Sequence, residues 1–270
     1  MRLIIPAAGA GIRLGGSIDN PIPKLLIPIR GRPLISHLLR IASSMGSFSD
    51  VIIVLGPDYE RAVQTVRDLS SGIRWNSRTI ITCLKNSRYR ETNNIYSLHL
   101  AREFLDGDVV IHNSDVLVAP SAFGSLLSRV GKDEAWVIAD RSTPIPKEET
   151  KIVMSEDRIV EFGEDVTPET AHGRYVGVSR FSPIASKMLK DEIELLVERR
   201  NLNVFYTKAI DHLASHGILK PVWVEDSDWL EIDTWEDLKA VGQRAKHIIE
   251  EIKTEDYELT AEVTVRDLDS

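Results

Sequence analysis

The first half of the chain repeats one unit: a short apolar run stops at a turn, and a stretch with helical spacing follows. The runs are Leu3–Ile5, Asp50–Leu55 (DVIIVL), Thr79–Leu84 (TIITCL) and Asp108 to Asp115 (DVVIHNSD). The helical stretches are Leu34 to Met45, Tyr59 to Leu69 and Asn94 to Phe104. Apolar runs with few polar interruptions read as strands buried on both faces. Their alternation with helices predicts an α/β fold with a Rossmann-like, mainly parallel sheet flanked by helices. In such sheets ligands bind at the carboxyl ends of the strands, so the loops after the runs are where function is expected.

Beyond about Ala135 the pattern changes to short strands, Ala135–Ala139, Lys151–Met154, Arg158–Phe162 and Tyr175–Phe181. Two helices (Ala185 to Glu198 and Val204 to Ala214), a strand at Leu219–Val224, the stretch WLEID and a helix from Trp235 to about Ile252 complete the reading. We read one domain over residues 1–252, with a nucleotide-binding part to about 134 and an acceptor-binding part from 135. Residues 253–270 form an acidic C-terminal segment, either a tail or an edge strand for self-association as a homodimer. A formal charge of -8 argues against nucleic acid or anionic membrane as a partner. The single cysteine, Cys83, excludes an intrachain disulfide and a thiolate zinc cluster. No leader is legible before the first strand, and no apolar stretch nears the roughly 20 residues of a membrane helix. A soluble, cytoplasmic protein is expected.

The loop after Ile5 reads PAAGAGIRLGGSIDNPIPK. Ala7, Ala8, Gly9 and Gly11 let backbone N–H groups approach a phosphate closely. Arg13 adds a planar cationic fork and Lys24 a mobile point charge. Leu14 stands where a dinucleotide fingerprint needs its third glycine, and no Gly-Lys-Ser/Thr makes a P-loop. Two carboxylates stand near the ends of strand-like stretches: Asp115 at the sheet edge of the opening loop, and Asp233 more than a hundred residues later. Separated carboxylates can hold one Mg²⁺ against phosphates, because Mg²⁺ takes oxygen ligands and keeps several waters. Asp233–Thr234 before WEDL also reads as a helix start, with Asp237 completing the cap. His212 and His216 share a helix face, but DHLASH lacks the glutamate of HEXXH and is not read as a metal site.

Taken together, AAGAGIRL…PK resembles the signature of the nucleotidyltransferases that activate phosphorylated sugars and alcohols. NNIYSLHLA (Asn93 to Ala101) is similar to a segment of the phosphocholine and inositol-1-phosphate cytidylyltransferases. NSDVLV resembles the family's strand-end aspartate motif, and WLEIDTWEDL its second acidic motif. The resemblance implies a nucleotide-diphospho-sugar transferase type of fold and a Mg²⁺-dependent transfer of CMP from CTP to a small phosphorylated alcohol. It assigns the metal to Asp115 and Asp233, with Glu231 as a further contributor on the acceptor side, and catalysis to these aspartates with Arg13 and Lys24. It sets Asn93, Asn94 and Ser97 near the base. Asn86 is a further base-reading candidate, since amides both donate and accept. On the acceptor side, Phe205 and Tyr206 fall where phosphocholine enzymes carry an aromatic cage. Thr150–Lys151–Ile152 instead resembles the inositol-phosphate and sugar-phosphate enzymes, in which a lysine grips the acceptor phosphate. Two alternatives stand beside this: a sugar-1-phosphate nucleotidyltransferase using UTP, GTP or dTTP, and a non-catalytic nucleotide sensor on the same fold.

Overall fold

A computed structural model describes residues 1–17, 19–75, 78–142, 144–252 and 259–267. Strand β1 (Arg2–Ala7) leads not into an α-helix but into 3-10 turns at Ile12–Leu14 and Lys24–Leu26, then a two-residue ladder of β2 (Pro28–Ile29) with β3 (Arg32–Pro33). The predicted alternation follows: α1 (Leu34–Met45), β4 (Asp50–Leu55), α2 (Tyr59–Ser70), β5 (Ile80–Lys85), α3 (Asn94–Leu100) and β6 (Val109–His112). The run expected over Asp108 to Asp115 is broken by a turn. Its continuation is a separate strand, β7 (Val116–Val118), followed by a helix not read from the sequence, α4 (Pro120–Leu127). The second half comprises β8 (Ala135–Asp140), β9 (Lys151–Ser155), β10 (Arg158–Gly163), β11 (Gly173–Phe181), α5 (Pro183–Glu198), α6 (Thr207–Ser215), β12 (Leu219–Val224), β13 (Trp229–Glu231), α7 (Trp235–Glu250) and β14 (Glu262–Arg266).

One sheet of ten strands organises the molecule. Strands β6, β1, β4 and β5 lie side by side and parallel. β11 runs antiparallel between β6 and β8, and β12 lies parallel to β8. The β9–β10 hairpin joins the first residues of β11, beyond the reach of β6. The apolar runs are continuous because both faces are covered. Val51, Ile53 and Leu55 enter a core shared with α1, α2 and α4, while Ile52 and Val54 enter another shared with α3, α5 and α6. The part of the C-terminal segment that is described, β14, pairs parallel with β5 of its own chain, Val265 lying opposite Cys83. Residues 253–258 and 268–270 of that segment lie outside the described residues. No helix among the described residues is long and apolar enough to cross a membrane.

From β1 the chain proceeds to β4 and β5 on one side and returns to β6 on the other. Strand order reverses there, and the carboxyl ends of β1 and β6 open the crevice that ligands of such sheets use. A cavity of about 620 Å³ occupies it.

Candidate active site

The loop after β1 is folded back on itself. The Ile22 N–H donates to the Ala10 carbonyl at 2.9 Å, and the Leu14 and Gly16 N–H groups both donate to the Gly11 carbonyl. Gly11 holds φ at 64°, and a Cβ there would run into the Ile22 carbonyl. The fold-back therefore requires glycine, and it delivers Lys24 to the strand end it left. Gly9 faces open space and Ala7 and Ala8 line the cavity with it, so the backbone is accessible where a phosphate was expected.

The two aspartates meet through a strand pair. β13 runs antiparallel to β7 with Glu231 opposite Val116, and the Ile232 N–H donates to the Asp115 carbonyl at 2.9 Å. That register sets Asp233 beside Asp115. Thr234 caps α7, and the Asp237 carboxylate accepts from the Asp233 and Thr234 N–H groups at 3.0 and 2.7 Å. The cap thus uses Asp237 and Thr234, leaving the Asp233 carboxylate to face the cleft. Lys24 Nζ donates to Asp115 Oδ2 at 2.6 Å and also to Asp233, while Arg13 Nη1 lies 2.6 Å from the other Asp233 oxygen. Glu231 completes a set of three carboxylates whose nearest oxygens all lie within 4.8 Å of one another. All-oxygen donors at this spacing fit a magnesium ion.

Electrostatics follow from the crowding. Burial depresses the Lys24 ammonium, but Asp115 and Asp233 outweigh it and raise the group above its ordinary value. Burial pushes the Glu231 carboxyl well up, and Asp115 and Asp233 push it further. Burial also raises Glu149, with only partial relief from Arg174.

Asn93 caps α3, its side chain accepting from the Asn94 N–H at 2.8 Å, and Asn94 Oδ1 accepts from the Tyr206 N–H at 2.8 Å. Asn86 and Ser97 are buried and bonded to each other at 3.2 Å. All four line the cavity.

On the acceptor side Lys151 lies elsewhere than expected. Lys151 is fully buried, and its ammonium donates to the Lys147 and Glu149 carbonyls at 2.7 and 2.8 Å; it braces the loop before β9 and does not line the cavity. Tyr206 lines the cavity but is buried, its hydroxyl donating to Asn113 Oδ1 at 2.8 Å and sharing a 2.9 Å contact with the Tyr175 hydroxyl. Only Phe205 of the expected aromatic pair is exposed. Sequence reasoning missed Arg90 and the glutamates Glu148, Glu149 and Glu164, all of which line the cavity. The run KEET directly before Lys151 was the available signal for two of them.

Sheet order, strand-end loop and paired acidic motifs define a nucleotidyltransferase of the nucleotide-diphospho-sugar transferase fold. The inositol-1-phosphate CTP transferase from T. maritima superposes with a TM-score of 0.72 over 96% of this chain and 98% of that one, at 20% identity. The CTP:phosphocholine cytidylyltransferase from Streptococcus pneumoniae does so with a TM-score of 0.68 over 90% and 97%, at 18% identity. The chain belongs to the MobA-like NTP transferase domain family, whose model matches residues 3–145. Among curated relatives, CMP-5'-(3-aminopropyl)phosphonate synthase of Streptomyces rubellomurinus is 35% identical over 126 residues, 47% of this chain and 19% of the relative. Choline-phosphate cytidylyltransferase of Streptococcus pneumoniae is 32% identical over 117 residues, 43% of this chain and 46% of the relative. The matched stretches thus span less than half the length of these relatives.

Proposed function

We propose that this protein transfers CMP from CTP to a small acceptor bearing a phosphate or phosphonate, releasing pyrophosphate. The observation that carries the reading is the meeting of Arg13, Lys24, Asp115 and Asp233 at the end of β1 around one cavity. Residues 1–134 hold the nucleotide and 135–252 the acceptor. An acceptor oxygen attacks the α-phosphorus in line, and the bond from that phosphorus to the bridging oxygen of the leaving pyrophosphate breaks. The acceptor is already ionised near neutral pH, with a second pKa of about 6 for a phosphate monoester, so no strong base is needed. The loop backbone after β1 positions the triphosphate. Arg13 and Lys24 neutralise it as charge builds on the leaving group. Asp115 and Asp233, with Glu231 beside them, would hold a magnesium ion, which when bound supplies further screening of the crowded phosphates.

The acceptor's far end is read from charge. Glu148, Glu149 and Glu164 line the cavity, Phe205 offers an exposed ring, and Lys151 is committed elsewhere. Such a wall favours a cationic ammonium over a neutral polyol. The names of the aminopropylphosphonate and choline-phosphate relatives agree with that choice.

The test is pyrophosphate release with CTP and magnesium against phosphocholine, an aminoalkylphosphonate, inositol-1-phosphate and glucose-1-phosphate. Turnover is expected with the two ammonium-bearing acceptors, and Asp115→Asn should lower it by about 100-fold or more. Turnover confined to sugar phosphates with UTP, GTP or dTTP would overturn the reading, and full activity of Asp115→Asn would overturn the metal assignment.

A further inference from the structure

Lys151 on β9 and Arg174 on β11 are register partners across an antiparallel strand pair, and both reach Glu149. The Lys151 ammonium donates to the Glu149 carbonyl at 2.8 Å, and Arg174 Nη1 lies 3.6 Å from Glu149 Oε1. One cation thus fixes the main chain of this glutamate and the other faces its carboxylate. Arg174 is itself anchored. It also stands opposite Asp140 on β8, and donates to Asp140 Oδ2 from Nε at 3.1 Å and from Nη2 at 2.9 Å. Its guanidinium lies 4.8 Å from the centre of the Trp229 ring, and Nη2 lies 3.5 Å from Asp226 Oδ1. Asp140, 1% exposed, takes the two close bonds and balances the guanidinium charge, so Glu149 is aimed by the fork while its own charge stays available. Arg174 does not line the cavity, whereas Glu149 does. Of the other glutamates on that wall, Glu148 and Glu164 are exposed, and Glu149 is half-buried.

Resting on the reading of the acceptor wall above, we propose that Arg174 is a positioning residue that sets the acceptor's charge preference: by aiming the Glu149 carboxylate, it makes the cavity take an acceptor carrying an ammonium over one of the same shape without charge. A loose glutamate gives up rotamer freedom when it meets a ligand, and one already held has given it up beforehand. The hold also keeps the carboxylate charged. Burial pushes the Glu149 carboxyl toward keeping its proton, and Arg174 opposes that push. Without Arg174 the wall would present a mobile carboxyl with less charge, and a neutral acceptor would fit as well as a cationic one.

The experiment is calorimetric binding of phosphocholine and of its uncharged isostere, 3,3-dimethylbutyl phosphate, to the full chain. Magnesium and α,β-methylene-CTP, which cannot transfer its nucleotidyl group, are present throughout. The unaltered protein should bind phosphocholine about 10-fold or more tightly than the isostere. Arg174→Gln combined with Asp140→Asn, which leaves no buried charge unpaired, should bring the two acceptors level and leave the isostere's own affinity in place. A general loss of structure would weaken both. Arg174→Lys keeps a cation against Asp140 but loses the second arm of the fork, so its ratio should fall as well. Glu149→Gln should level the acceptors too, and adding it to the Arg174 change should cost nothing more, since one acts through the other. Equal binding by the unaltered protein, or a preference that survives either change at Arg174, would overturn the assignment. Binding is read without turnover, so a protein that shows these ratios and releases no pyrophosphate from CTP would sink the proposed function and leave this inference standing. One that transfers CMP equally well to the charged and uncharged acceptors would do the reverse.

Discussion

Replacing Lys24 with methionine isolates the electrostatic arrangement of the site. The Lys24 ammonium bridges Asp115 and Asp233, and Glu231 lies beside them, the three nearest carboxylate oxygens falling within 4.8 Å of one another. At that separation and an effective dielectric constant of about 20, two like charges repel by about 3.5 kcal/mol. Arg13 remains, but its side chain is 62% exposed and screens little. Removing one partner from a buried ion pair costs about 3–5 kcal/mol, and relaxation, water entry and proton uptake by a carboxylate favour the lower end. At about 3 kcal/mol, Lys24→Met should melt about 6–12 °C below the unaltered protein in thermal scans near neutral pH. The deficit should shrink as the pH falls toward 5, where a proton can replace the lost cation. Magnesium should raise the variant's melting temperature more than that of the unaltered protein, because the ion takes the place that Lys24 vacates. A variant that melts at the unaltered temperature and responds identically to magnesium would mean that the three carboxylates do not share one charge-dense site.

Other expectations are independent of that result. Burial holds His112 down at about 4, so the unfolded chain takes up its proton first, at an ordinary pKa of about 6.5. The stability this supplies is complete above about pH 6.5 and drains as the pH falls toward 4, by about 3 kcal/mol; urea midpoints of the unaltered protein and His112→Gln across that window should diverge accordingly. Gly11→Ala should destabilise by about 1–3 kcal/mol and weaken nucleotide binding, since an L side chain is strained at this φ and meets the Ile22 carbonyl. Tyr206→Phe should cost about 1–2 kcal/mol in chemical denaturation by stranding Asn113 Oδ1. Chelation with EDTA should abolish pyrophosphate release, and added magnesium should restore it.

The first half of the sheet was legible because its cause is local and repeated. A strand buried on both faces writes itself as an unbroken apolar run, and Asp50–Leu55 matches the observed β4 end to end. Helix α4 was not legible: PSAFGSLL carries a proline, a glycine and two serines, and is held by the packing of Phe123 and Leu126 more than by propensity. The meeting of Asp115 with Asp233 is a non-local pairing of β7 with β13, which only a family resemblance could foretell. Lys151 shows the limit in the other direction. The strand and its exposed-looking lysine were read, but its ammonium folds back onto carbonyls a few residues upstream, and residue type carries no signal for that choice. In EVTVR, hydrophobic alternation was present in β14, yet the acidic surroundings left the segment open between a tail and an edge strand for self-association, and it pairs instead within its own chain.

The position of β14 sets an order on events in a growing polypeptide. Its Thr264 touches Thr82, 182 residues earlier in the sequence, and no other described strand borders β5 on that side. While synthesis proceeds, the first half of the chain can collapse early, but the outer rim of β5 stays uncovered until β14 emerges. An uncovered rim of unpaired N–H and C=O groups is a template for pairing with a neighbouring chain. For this protein the interval of greatest exposure to aggregation is therefore the one just before β14 emerges, when the sheet's other nine strands have been made.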